Sequence, residues 1–189
     1  MRKMFLFMMV SLDGYIEGEA HDLSWHNVDL EFNKFAAEQM EEMGTILMGR
    51  HTYDLMYGYW PYVTSTDPQD EKVKIAMNTL PKVVVSHSLE KVEEEENWKN
   101  IQLINMNVVQ ELARLKEDKG KSIAVLGSNN LCVTLLELGL LDELRIMINP
   151  VVIGKGTPLF LGIKAKKKFR LVENRKFANG NVLLTYTLL

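Results

Sequence analysis

The sequence predicts an α/β protein of three layers: a mostly parallel central sheet, helices on both faces, and an antiparallel β-hairpin at the C-terminal end. Three observations carry this. Short apolar runs alternate with segments whose apolar residues recur at helical spacing. Those runs are apolar throughout rather than alternating, as strands buried on both faces of a parallel sheet are. The last two extended runs are joined near Asn179-Gly180, a hairpin signal. The 189 residues have the size of one domain, and residues 1–189 show no repeat and no separating linker.

The elements follow in order. Met4 to Val10 is an apolar run too short for a helix, and it reads as a buried strand. Ser11 to Asp29 is polar, carries Gly14 and Gly18, and reads as a long loop of the kind that carries function. Leu30 to Met43 places Phe32, Phe35, Ala36, Met40 and Met43 on one helical face. Thr45 to Met48 is a short strand stopped by Gly49, and Thr52 to Tyr57 reads as the start of a helix. Gly58 to Asp70 reads as a loop, Glu71 to Leu80 as a short helix ended by Pro81, and Lys82 to Ser86 as a β-branched strand. Ile101 to Ile104 is another short strand. Asn107 to Lys119 has helical spacing and closes at Gly120. Ser122 to Leu126 is a strand, Gly127 turns into a helix over Asn129 to Leu138, and Gly139 caps it. Glu143 to Asn149 is a strand ended by Pro150, and Lys168 to Val172 with Val182 to Leu189 forms the hairpin.

Composition narrows the function. A net charge of −3 without a basic stripe argues against a general nucleic-acid binder. The runs Glu93 to Glu96 and Lys164 with Lys166 to Lys168 read as solvated surface. The single cysteine, Cys132, sits in an apolar helical context and reads as a buried hydrophobe, so no disulfide argues for secretion. Arg2 and Lys3 ahead of Met4 to Val10 mimic a signal peptide, but no small-residue cleavage pattern follows. No stretch is long enough to span a membrane. The expected location is cytoplasmic. His21, His26, His51 and His87 lack metal-ligand spacing, so no metal is expected, and no Gly-x-Ser-x-Gly elbow occurs.

Ligands in open α/β sheets bind beyond the carboxyl ends of the strands, so the residues after each strand are the candidates. Met48-Gly49-Arg50-His51-Thr52 offers a glycine for close approach, an always-charged fork suited to phosphate, and a capping hydroxyl. A plain strand-to-helix turn would carry the same residues. Ser86-His87-Ser88 supplies short polar donors, or simply a polar turn. Gly127-Ser128-Asn129-Asn130-Leu131 reads equally as a phosphate nest at a helix N-terminus or as an ordinary cap. Asp13, after the first strand, is placed for proton transfer or for a turn that binds its own backbone.

The order of these motifs, together with Ser11-Leu12-Asp13-Gly14-Tyr15-Ile16, Thr45 to Tyr53, Gly139 to Leu144 and Asn149 to Phe160, resembles the dihydrofolate-reductase-like superfamily. The closer likeness is to stand-alone proteins similar to the C-terminal reductase domain of the bacterial riboflavin-biosynthesis deaminase–reductase. The resemblance implies that fold and an NADPH cofactor. It implies that Gly49, Arg50, His51 and Thr52 receive the cofactor's phosphates, with Arg50 favouring NADPH over NADH. Ser86 and His87 would lie near the adenosine portion, Gly127 and Ser128 beneath the pyrophosphate, and Asn129, Asn130 and Leu131 at the opening of the helix behind it. Asp13 is the implied catalytic acid or substrate anchor. Gly154-Lys155-Gly156 would lie on the substrate side or at a dimer contact.

Dihydrofolate reductases carry Gly-Gly where this chain has Gly127-Ser128 and an acid on the first helix, where Glu31 and Glu38 both lie. The expected activity is NADPH-dependent reduction of a small heterocyclic (pterin- or pyrimidine-like) or carbonyl substrate. Dihydrofolate reductase and 5-amino-6-(5-phosphoribosylamino)uracil reductase are the nearest patterns. The alternative is a nucleotide- or pterin-binding protein with this fold and no turnover. The resemblance also implies a homodimer.

Overall fold

A computed structural model describes residues 1–189. Its strands are β1 (Met4–Val10), β2 (Tyr15–Glu17), β3 (Met43–Gly49), β4 (Lys82–Val85), β5 (Ile101–Ile104), β6 (Ser122–Val125), β7 (Glu143–Ile148), β8 (Thr157–Pro158), β9 (Phe169–Lys176) and β10 (Val182–Leu188). Its helices are α1 (Leu30–Glu42), α2 (Arg50–Tyr57), α3 (Pro68–Thr79), α4 (Val108–Glu117) and α5 (Asn129–Glu137). Eight strands form one sheet in the order β5-β4-β3-β6-β1-β7-β10-β9. The first six of these pair in parallel, and β10 joins β7 and β9 antiparallel.

The continuous apolar runs are explained by this order. β1 lies between β6 and β7, and Met4, Phe5 and Leu6 have no solvent exposure at all. Neighbouring residues of a strand point to opposite faces. Leu47 joins a core with Leu112 of α4 and Leu135 of α5, whereas Ile46 joins one with Ala37 of α1, Tyr53 of α2 and Met77 of α3. Helices therefore cover both faces, as the sequence predicts. Cys132 is fully buried on α5, and burial pushes its thiol up to about 12.

Differences from the sequence reading are local. Both helices expected between β3 and β4 form. The second starts earlier than expected because Asp67 caps it, accepting the Gln69 and Asp70 N–H groups at 2.8 and 3.2 Å, with Pro68 in its first turn. The hairpin strand β9 runs to Lys176, well past Val172, and five residues around Asn179-Gly180 make the turn. The segment read as the loop Ser11 to Asp29 contains β2, which pairs with β8 across the chain, and one 3₁₀ turn over Glu19–His21.

Lys82 anchors the start of β4. Its Nζ donates to the carbonyls of Asn78, Leu80 and Lys99 at 2.9, 2.9 and 3.0 Å and lies 4.5 Å above the ring of the fully buried Trp98. Burial pulls its pKa down to about 8.

Candidate functional site

β3, β4 and β6 lie side by side and end at Gly49, Val85 and Val125, so the turns that follow them open on one side of the sheet. There an open groove of about 560 Å³ is bordered by residues of all three turns. Gly49, Arg50, His51, Ser86, His87, Ser128, Asn130 and Leu131 line it, as the sequence reading brought together. Asp54, Val85, Val108 and Thr134 also line it; no motif marked them, and only the neighbouring turns place them there.

Helix starts give the groove its electrostatic character. α1 and α3 are capped by the carboxylates of Asp29 and Asp67. The N-cap residues of α2, α4 and α5, which are Gly49, Asn107 and Ser128, make no side-chain cap. The first N–H groups of these three helices are left without a cap, and each helix dipole adds positive potential at the same end. The segments around all three starts border the groove.

The two glycine turns touch. Gly49 N–H donates to Gly127 O at 2.9 Å. Gly127 has φ +124°, and its peptide bond to Ser128 is cis. A Cβ on Gly127 would lie 2.6 Å from Thr52 Oγ1, and one on Gly49 would lie 3.0 Å from Ser128 Oγ. Thr52 was expected to cap α2. Because β3 runs straight into the helix at Arg50, Thr52 is instead its third residue, buried against Gly127. Asn129 is likewise buried behind the groove, and its Nδ2 donates to Leu161 O at 3.4 Å.

Arg50 stands at the mouth, half exposed. Its Nη1 donates to Ser88 Oγ at 2.9 Å, and its Nε lies 3.5 Å from Asp54 Oδ2. Ser86 Oγ accepts the N–H groups of Ser88 and Leu89, both at 3.2 Å, which fixes the turn after β4. His87 Nδ1 lies 3.3 Å from Asn105 O.

Asp13 is not among the residues lining the groove. Its Oδ2 accepts Gly154 N–H at 2.8 Å and its Oδ1 accepts Ile153 N–H at 3.3 Å, so it ties the loop after β1 to the loop after β7. The Ser11 hydroxyl and then these N–H groups hold its carboxyl below the ordinary value despite some desolvation. Gly154 is thus part of a loop anchor, and Gly156 packs on the Glu17 backbone so closely that a Cβ there would meet Glu17 O.

Two residues to which the sequence reading gave no role in the site, Glu17 and His21, stand beside His51. Glu17, on β2, is buried, and its Oε2 lies 2.9 Å from His21 Nδ1 and 3.5 Å from His51 Nε2. Burial raises its pKa, but hydrogen bonds from Thr157 and His21 and the field of both imidazoles outweigh this and lower it. No local pattern flags the cluster, because His51 lies far along the chain from the Glu17–His21 pair.

The family model described as the RibD C-terminal domain matches residues 2–183. The Bacillus subtilis (strain 168) protein YyaP, described as uncharacterized, is 33% identical over 187 residues, covering 98% of this chain and 94% of YyaP. A crystal structure from Shewanella sp. PV-4 that carries a riboflavin-biosynthesis name superposes with a TM-score of 0.75 at 24% identity, covering 99% of each chain. Dihydrofolate reductase from Enterococcus faecalis, solved with NADP(H), superposes with a TM-score of 0.59 at 15% identity, covering 98% of this chain and 96% of that one. These structures share the fold, a dihydrofolate-reductase-like α/β sheet. No helix is long and apolar enough to cross a membrane.

Proposed function

Because the chain belongs to the RibD C-terminal domain family, we propose that it is an NADPH-dependent reductase of a small heterocyclic or carbonyl compound. The observation that carries this reading is the meeting of two uncapped helix N-termini, those of α2 and α5, across the contact of Gly49 and Gly127. Free N–H groups and positive dipole ends on both sides of one groove suit a diphosphate. Gly49 and Gly127 keep side chains out of that space. Arg50, with Ser86 and Ser88 beside it, suits the extra phosphate that distinguishes NADPH from NADH. His51, Thr52, His87 and Asn129 to Leu131 complete the wall and its support.

The cofactor, when bound, supplies the hydride. The protein's part is to hold the dinucleotide, orient it towards the carboxyl end of β1, and leave the substrate space to the loops after β1 and β7. The same reading carries a small-molecule substrate of pterin or pyrimidine type and a homodimer of the cytoplasm. A second reading, binding without turnover, is favoured by Asp13. Its carboxylate is engaged by two backbone N–H groups, and its lowered pKa makes it a poor proton donor.

Calorimetric titration with NADPH and NADH tests the cofactor site. NADPH is expected to bind at least tenfold more tightly. Arg50→Glu is expected to weaken NADPH about 10–100-fold, from the loss of a charge-assisted contact worth about 1.5–3 kcal/mol, and NADH less. Binding of neither dinucleotide would sink the proposal. A turnover screen of pterins, pyrimidines and small carbonyls then separates the reductase from the binding protein.

A further inference from the structure

We propose that Glu17, His21 and His51 form a binding site for a divalent transition metal, with zinc the best-matched ion. The three residues come from β2, from the 3₁₀ turn after it and from the first turn of α2. Their ligand atoms all lie within 4.8 Å of one another. A tetrahedral zinc ion with bonds of about 2.0–2.1 Å separates its ligand atoms by about 3.3 Å. Glu17 Oε2 stands 2.9 Å from His21 Nδ1 and 3.5 Å from His51 Nε2, which bracket that value.

Three features point to a ligand rather than to a closed hydrogen-bond cluster. His51 Nε2 is buried and makes no hydrogen bond, with the Glu17 carboxylate standing 3.5 Å away, and an ion between the two would satisfy both. The other carboxylate oxygen, Glu17 Oε1, accepts the Thr157 hydroxyl at 2.7 Å, an outer contact of the kind that orients metal-binding carboxylates. Ala20 and His21 sit at φ +55° and +63°, conformations that L residues seldom adopt, and this turn brings the His21 ring to 3.9 Å from the ring of His51.

Two imidazoles and one carboxylate select zinc, cobalt or nickel over magnesium or calcium, which take oxygen ligands. Binding uses the Nδ1 lone pair of His21, which requires a neutral ring with its proton on Nε2, and the carboxylate of Glu17. Three protein ligands leave a fourth position open for water or for a ligand atom. His51 also borders the groove, so the ion would stand at its edge.

Titration of the 189-residue chain with Co²⁺, read by visible d–d absorption, and with Zn²⁺, read by calorimetry, tests the site. The expected result is one equivalent bound with the strong absorption of tetrahedral cobalt. His21→Asn should weaken binding about 100-fold. Asparagine tolerates positive φ, so this variant keeps the turn and separates lost ligation from lost folding. Glu17→Gln should weaken it similarly and Thr157→Val about tenfold, as outer contacts do. His87→Asn should leave binding unchanged. No absorption above that of aqueous cobalt, or equal binding by wild type and His21→Asn, would overturn the assignment.

Discussion

Replacing Gly127 with alanine tests how closely the two turns of the groove depend on each other. The backbone at Gly127 has φ +124°, where an L residue costs on the order of 1–3 kcal/mol. The new methyl carbon would lie 2.6 Å from Thr52 Oγ1. Thr52 is buried and cannot simply swing into solvent, so overpacking adds about 1–2 kcal/mol. The expected loss is about 2–5 kcal/mol. For a domain of this size each kcal/mol moves Tm by about 2–4 °C, so Tm should fall by roughly 10 °C. Gly49→Ala is the matched control. There φ is −79° and the near atom is the Ser128 hydroxyl at 3.0 Å, so the expected loss stays below about 1 kcal/mol. Urea unfolding of both variants, and of Gly127→Ala combined with Thr52→Ala, reads these numbers. Removing the threonine should return about 1–2 kcal/mol, because it relieves the clash and not the backbone strain. If Gly127→Ala lies within about 0.5 kcal/mol of wild type, or matches Gly49→Ala, the close-packed account of the groove is refuted.

Acid should destabilise the protein through His26. Burial, partly countered by Asp22, lowers its pKa to about 4 against 6.5 when unfolded. The unfolded chain therefore takes up a proton that the folded one refuses. This contribution is complete above pH 6.5 and is lost as pH falls towards 4, amounting to about 3 kcal/mol; His26→Gln should flatten urea midpoints over that range. Lys82→Ala leaves three carbonyls, one buried and two partly buried, without their lysine donor and should cost about 3 kcal/mol in the same assay. Asp13→Asn should speed amide hydrogen exchange at Ile153 and Gly154, and in an active reductase it should also show whether turnover depends on that carboxyl.

Much of the fold is legible because its strands are buried on both faces. Met4 to Val10 and Val83 to Val85 have no polar alternation to blur them, and the second of these leads into a turn that borders the groove. Eight of the groove residues were legible for the same reason, since they follow strand ends; Asp54, Val108 and Thr134, on the helices beyond, were not. What escaped the sequence depends on pairings distant along the chain. β2 and β8 are too short to announce themselves and form only against each other. The link from Asp13 to Gly154 and the approach of His21 to His51 belong to the same class. Trp98 follows a run of exposed glutamates, so its complete burial beside Lys82 has no local signal.

The place of β1 has a consequence during synthesis. It is made well before its neighbours β6 and β7, which begin at Ser122 and Glu143. At about 5–20 residues per second, the strand waits roughly 7–30 s before both flanks exist. For that time the sequence Met4 to Val10, fully buried at Met4 to Leu6 in the finished fold, lacks both of its strand partners. Nascent chains halted before β6 would carry an unpaired strand rather than a smaller folded unit, and the ribosome-bound form is where this protein should most need a chaperone.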